Sequence, residues 1–478
     1  VPEGRSGAPA RLIASVAPGT LLNPLNSSMI AVALVPLQHE FEVGVATSSW
    51  LVSGFYLAAA VGQPLMGRFV DLFGARRMFL AGLGLVCAVS VVAPFAPGFW
   101  WLVGARVLLA FGTSTAYPAA LVLIRAAAAG PGQGSAGGGR GRTPSAPSSP
   151  AGALAALSIA AATSAALGPV IGGFLIASAG WQAVFLVNVP VTAVGALLAI
   201  RFLPRLPHPP RQRGDLLKTL DLPGTALFTA TLAGLLIFLL SLADHPQWWL
   251  VPAVVVLGVL LVVRERSTAV PFLDVRGLAA NRHLSSVLIQ QGGVNLVFYC
   301  VFFGLPLWLG SVRGFTSDTV GLLVLPVAAM GVLMTPVAAA MVGRRGSRAT
   351  LVLGSVVLLV AALTIQVLDD STPLVILVGV ALLFGIPGGF NNLGLQTALY
   401  EASPPSRMGS SGGLFQTFRY LGAILSTSVL GIVFEHELSS RGLHQVGLIM
   451  TCASVVLVIL ALAWHGTARR VRASVDDL

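Results

Sequence analysis

The chain has 478 residues, 55% of them hydrophobic and 9% charged, with a mean hydropathy of +0.87. Soluble proteins carry roughly 25% charged residues, so these figures exclude a soluble enzyme, a disordered chain, a coiled coil and a collagen, and leave an integral membrane protein. The formal charge of +11 sits in short clusters between apolar runs, so no nucleic acid partner is expected.

A bilayer-crossing helix needs about 20 mainly apolar residues, and fourteen stretches of the sequence qualify. The first six centre near residues 24, 58, 87, 113, 165 and 192, two more near 231 and 256, and the last six near 297, 330, 358, 385, 421 and 454. With the N-terminus placed in the cytoplasm, the even-numbered connections and both termini hold 24 of the 28 basic residues. The opposite side holds Arg313 and Arg441, and Arg106 and Arg419 lie inside spans. Cytoplasmic loops collect Lys and Arg, which predicts a multi-pass protein of the cytoplasmic membrane with both ends inside. Lys218 is the one lysine, a bias that fits a bacterium with a GC-rich genome.

The spans divide into a six-helix bundle (1–203), a linker with two extra transmembrane helices (204–281) and a second six-helix bundle (282–478). Residues 127–151 form a Gly/Ser/Pro spacer between the fourth and fifth spans, a flexible composition. The charged stretch after Arg264 is expected to include a surface helix. QPLMGRFVDLFGARR and TPVAAAMVGRRGSR superimpose with Pro64 on Pro336, Gly74 on Gly346 and Arg76 on Arg348. Each copy follows the second span of its bundle. Repeated halves around a midplane site are a transporter architecture.

Taken together, these segments resemble the major facilitator superfamily, in its fourteen-span drug:proton antiporter branch. Gly67, Asp71, Gly74, Arg76 and Arg77 in GRFVDLFGARR resemble the signature turn between the second and third spans, which implies a conformational gate. ARVLLAFG, with Arg106, resembles the fourth-span motif, and LGPVIGG, with Gly168, Pro169, Gly172 and Gly173, the fifth-span antiporter motif. WQAVFLVNVP, DLPGTALF and FQTFRYLGAILSTSVLG fit the same branch. The implied fold is an all-α polytopic membrane protein with two six-helix bundles and two extra central helices.

One departure bears on mechanism. The branch carries an aspartate in the first span that is implicated in proton coupling; here the stretch reads LNSSMIAVAL, with Asn26 in the acid's place. An amide does not titrate, and the remaining acids fall at span ends, loops or tails. By the resemblance, the cavity is lined in the first half by Asn23, Asn26, Tyr56, Arg106 and Thr113. In the second half it is lined by Gln290, Gln291, Asn295, Tyr299, Asn391, Asn392, Gln396 and Arg419. For any one amide, an interhelical bond is as plausible as a substrate contact. An intramembrane arginine costs about 2.5–3.5 kcal/mol on insertion scales, so Arg106 and Arg419 are expected to face the bundle interior.

The function implied is export of small amphipathic or drug-like compounds by alternating access, with the bilayer and, conditionally, protons as the other partners. The alternatives are a transporter of lipids or anionic amphiphiles, an uncoupled facilitator or importer, and a non-transporting receptor or scaffold. No enzyme activity, cofactor or metal is expected: Cys87, Cys300 and Cys452 stand alone in apolar runs, and no nucleophile–base pair or metal-ligand spacing is present. A monomer is the expected state.

Overall fold

The computed structural model describes residues 8–129, 150–204, 221–242, 245–268, 276, 280–403, 408–436 and 438–464. Most of the 127–151 spacer, the Pro/Arg stretch that begins at residue 204 and most of the expected surface helix lie outside them. Helix nonetheless runs on to Ala129 and resumes at Pro150.

Every regular element among the described residues is a helix. In hydrocarbon the backbone must satisfy its own polar groups, and an apolar helix does this within one segment. The first half contains α1 (Ala8–Phe41), α2 (Trp50–Phe73, preceded by the turn Val45–Ser48), α3 (Ala75–Val92), α4 (Phe99–Ser114, continued by Ala116–Ala129), α5 (Pro150–Ala179) and α6 (Asn188–Phe202). The pair α7 (Leu222–Ser241) and α8 (Leu250–Ser267) follows. In the second half, α9 (Arg282–Ser311) precedes a continuous helical stretch, Ser317–Thr364, that breaks at Gly346 into α10 (317–345) and α11 (347–364). The chain closes with α12 (Leu374–Ala402), α13 (Met408–His436) and α14 (Ser440–Ala463). Ten helical stretches among the described residues are long and apolar enough to cross a membrane, one of them the 51-residue Ser317–Val367. Trp100, Trp101, Trp248 and Trp249 are exposed at helix ends, where the amphipathic indole suits a membrane interface.

The two ends of the bundle differ in charge. Arg76, Arg77, Arg344, Arg345 and Arg348 flank the α2–α3 and α10–α11 turns at one end, here the basic end. Arg313 and Arg441 mark the far end.

The sequence repeat has a structural counterpart at the basic end. Gly74 (φ 97°) and Gly346 (φ 79°) both turn the chain through positive φ, which favours a residue without Cβ. Directly after them, Arg76 donates to the Ile200 carbonyl at 2.7 Å and Arg348 to the Leu462 carbonyl at 2.7 Å. Each guanidinium thus pins the third helix of its half to the carbonyl end of the sixth, where the helix dipole favours a cation.

The apolar core is asymmetric. One continuous cluster runs from α1–α6 through the far-end portions of α9, α10, α12 and α13, including Phe55, Tyr56, Phe303 and Trp308. A separate cluster around Leu284, Leu351, Leu395, Phe415 and Trp464 fills the second half at the basic end. The halves therefore share a core at the far end and divide toward the basic end.

Candidate functional site

Several helix pairs bring the halves together. Along the antiparallel pair α2–α13, hydrogen bonds cross at successive levels. The Ala46 N–H donates to the Glu435 carboxylate at 2.7 Å, the Ser53 and Thr427 hydroxyls bond at 2.5 Å, and the Gln63 amide donates to the Tyr420 hydroxyl at 2.7 Å. At 1.5 Å per residue, residues 46 to 63 span roughly 25 Å, most of a hydrocarbon core. Between α5 and α10, Gly173 lies against the Ser317 carbonyl and Gly321 against the Pro169 carbonyl, so closely that a Cβ would displace backbone. Between α1 and α9, Gly310 meets Val35.

The LGPVIGG stretch thus faces two ways. Gly168 and Gly172 pack on Ser28 and Met29 of α1 within the first half, while Pro169 and Gly173 meet α10 of the second. Small residues let helices approach this closely.

An aromatic group straddles the α2–α13 seam. Tyr56 of α2 lies 5.3 Å from the Tyr299 ring of α9 and stacks on Tyr420 of α13 at 5.6 Å, and Tyr299 stacks on Phe303 at 5.5 Å. The half-buried Arg419 guanidinium sits among the phenols of Tyr299, Tyr420 and Tyr56, and among the described residues no carboxylate acts on it. The buried Tyr56 hydroxyl adjoins the Tyr299 hydroxyl and Ser27.

Arg106 is placed differently. It is 1% exposed and donates to the Asn26 carbonyl at 2.9 Å and the Leu51 carbonyl at 3.1 Å, with its guanidinium 4.5 Å from the centre of the Phe55 ring. Charge-assisted hydrogen bonds contribute about 1.5–3 kcal/mol each, enough to offset the insertion cost. Arg106 therefore ties α4 to α1 and α2.

Asn26 is likewise spent. Its amide donates to the Asn188 oxygen of α6 at 2.8 Å and accepts from the Asn188 amide at 2.9 Å, and Asn188 also donates to Ser90 of α3 at 3.2 Å. The position where the resemblance places an acid thus holds a three-helix amide clamp. Nearby, the half-buried Asn23 donates to Thr113 of α4 at 3.0 Å.

The second-half amides scatter. Gln290 and Gln291 are buried; Gln290 donates to Ser286 Oγ at 3.2 Å. Asn295 donates to the Gln291 carbonyl at 2.8 Å and lies against Gly422 of α13. Asn391 is buried against Gly354 with neither amide atom hydrogen-bonded. Asn392 and Gln396 are exposed and bond each other at 2.9 Å. The structure therefore brings Tyr56, Tyr299 and Arg419 together, places Arg106 within electrostatic reach of Tyr56, and gives Asn26, Asn391 and Gln396 other neighbours.

In the signature turn, Gly67 has ordinary room beside Pro118 of α4, Gly74 makes the turn, Arg76 is anchored and Arg77 is exposed. The side chain of Asp71 lies outside the described residues. Arg68, one turn earlier, feels the carboxylates of Asp221 and Glu265. Both acids are buried and converge on Gly224, and Asp221 pairs with Arg264 at 3.2 Å. This charged knot links α2 to the extra pair α7–α8. Sequence reasoning missed the knot, Asn188, Gln63, Tyr420 and Glu435. Two signals were present: Asn188 is a lone amide in an apolar span, and Tyr420 adjoins Arg419.

A bundle of apolar helices in two repeated halves, meeting along a polar and aromatic seam, is the form of a membrane transporter. The family model of the Major Facilitator Superfamily matches residues 16–427, and the chain belongs to that superfamily. Among curated relatives, the uncharacterized MFS-type transporter YwoD of Bacillus subtilis (strain 168) is 38% identical, over 95% of this chain and 96% of its own. Multidrug resistance protein Stp of Mycobacterium tuberculosis (strain CDC 1551 / Oshkosh) is 27% identical, over 87% of this chain and 74% of its own. Among solved structures, a point mutant of the nucleoside transporter NupG superimposes with a TM-score of 0.65 at 14% identity, covering 95% of this chain and 99% of that one, a likeness of fold alone.

Proposed function

We propose that this protein exports small amphipathic compounds from the cytoplasm by alternating access, with the two halves rocking about the seams formed by α2–α13 and α5–α10. The observation that carries this reading is the Tyr56–Tyr299–Tyr420–Arg419 group, built from both halves at the inner limit of their shared contact. A substrate held there touches both halves, so its binding free energy differs between the two access states, as any ligand-driven shift requires.

The concentration of Lys and Arg at the basic end supports a cytoplasmic placement for that end and for both termini. It also supports fourteen crossings in the drug:proton antiporter branch. The divided core at the basic end then corresponds to a state open toward the cytoplasm. The turn with Gly67, Asp71, Gly74, Arg76 and Arg77 acts as the gate at that end. A relative named for multidrug resistance favours export of drug-like compounds.

Asn26 favours a coupling route other than the first-span acid, or none. Reconstitution in liposomes with cationic, neutral and anionic amphiphiles, with and without a pH gradient, tests the reading. Saturable flux is expected. Flux accelerated by the gradient places coupling on another group, and flux indifferent to it makes the protein a facilitator. Saturable binding with no flux of any compound would mean a receptor or scaffold.

A further inference from the structure

We propose that Arg419, with Tyr56, Tyr299, Tyr420 and Gln63, forms a subsite for the anionic headgroup of an aromatic or amphipathic substrate; this rests on the transport reading and names its substrate class. A guanidinium stays charged at every physiological pH, and a charge away from water requires a partner. Arg106 has its partners in two carbonyls and a ring, and Arg264 has Asp221. Arg419 has phenols around it and, among the described residues, no carboxylate acting on it.

The phenols are arranged as donors. The buried Tyr56 hydroxyl lies beside the Tyr299 hydroxyl and Ser27. The Tyr420 hydroxyl already accepts from Gln63 at 2.7 Å, which leaves its own proton to donate. The Tyr299 hydroxyl adjoins both Arg419 and Tyr56. One cation and several O–H donors converging on one point match a carboxylate, sulfonate or phosphate monoester. The rings of Tyr56, Tyr299 and Phe303, packed 5.3 to 6.4 Å apart, form an apolar wall beside these polar groups. An aromatic group alone would suit a cation, but the Arg419 guanidinium beside these phenols repels one. Because Tyr56 and Gln63 belong to one half and Arg419, Tyr420 and Tyr299 to the other, the subsite is complete only while α2 and α13 are joined.

The test is binding of radiolabelled 2-naphthoate to the purified full chain in dodecyl maltoside, with neutral 2-naphthamide and cationic 2-naphthylmethylamine as competitors. Naphthoate is expected to bind about ten- to a hundredfold tighter than the amide, the range of a charge-assisted pair, with the amine weakest. Arg419→Gln should erase that gap, and Arg419→Lys should restore part of it. Should Arg419→Gln not fold, Tyr56→Phe with Tyr420→Phe should narrow the gap and serves in its place. Equal affinities in the parent protein, no saturable binding of any of the three, or a gap that survives in the folded variant would overturn the subsite. Displacement of naphthoate by lysophosphatidate assigns it to lipid headgroups, and failure to displace assigns it to dissolved aromatic acids. Flux run in parallel separates the two readings: flux without anion preference removes the subsite and leaves the transporter. Naphthoate binding through Arg419 without flux of any compound keeps the subsite and removes transport.

Discussion

Replacing Asn26 with leucine removes both hydrogen bonds of a reciprocal amide pair, at 2.8 and 2.9 Å, and leaves the buried Asn188 with Ser90 as its remaining side-chain partner. Interhelical hydrogen bonds in membranes average about 0.6 kcal/mol and reach about 1.7, so two give a pair coupling of about 1–3 kcal/mol. A double-mutant cycle isolates it: Asn26→Leu, Asn188→Leu and the double variant, each unfolded from dodecyl maltoside into SDS and followed by tryptophan fluorescence. Each single variant should lose stability, and the double should lose less than the singles combined, because it leaves no unpaired amide. Coupling near zero would refute the clamp and return Asn26 to the candidate cavity.

Three further outcomes are expected. Gly173→Val forces a side chain into the Ser317 backbone; overpacking costs about 1–3 kcal/mol, here set against the joined far end, so spin-label distances should show α5 and α10 farther apart, and unchanged distances would count against this seam. Arg76→Ala and Arg348→Ala each remove one guanidinium from a helix carbonyl end and should each cost about 0.5–1 kcal/mol in the same unfolding assay; a large cost for one and none for the other would contradict their equivalence. At the far end, the hydroxyls of Ser371 and Thr372 hold the Asp369 carboxyl below its usual value. A depressed folded pKa gives stability that is present above the unfolded value, about 3.9, and is lost as pH falls through the folded one. Protection of the Ser371 amide in hydrogen exchange should therefore persist at pH 4 and fail only below it, and failure near pH 5.5 would contradict the assignment.

The helices and the paired turns were legible in the sequence because apolar length and Gly/Pro/Arg turns are local signals, and Gly74 and Gly346 both turn the chain where the repeat sets them. The sequence marked Arg106 and Arg419 as residues that lipid does not tolerate, and Arg106 is buried while Arg419 is half-buried. Their different employment was not legible: Arg106 meets carbonyls of Asn26 and Leu51, which every residue carries and no side-chain pattern reports. Asn26 met the same difficulty, because its partner lies 162 positions away in α6. The Arg68–Asp221–Arg264–Glu265 knot was hidden because its acids sit at span ends, where a solvated loop has the same composition.

Rocking about the α2–α13 seam is the central claim, and a cysteine pair tests it most directly. Ser53→Cys with Thr427→Cys, in a background lacking Cys87, Cys300 and Cys452, replaces two hydroxyls 2.5 Å apart with thiols placed to form a disulfide. Oxidised protein in liposomes should lose substrate flux, and reduction should restore it; flux at the uncrosslinked rate with the disulfide fully formed would contradict the claim.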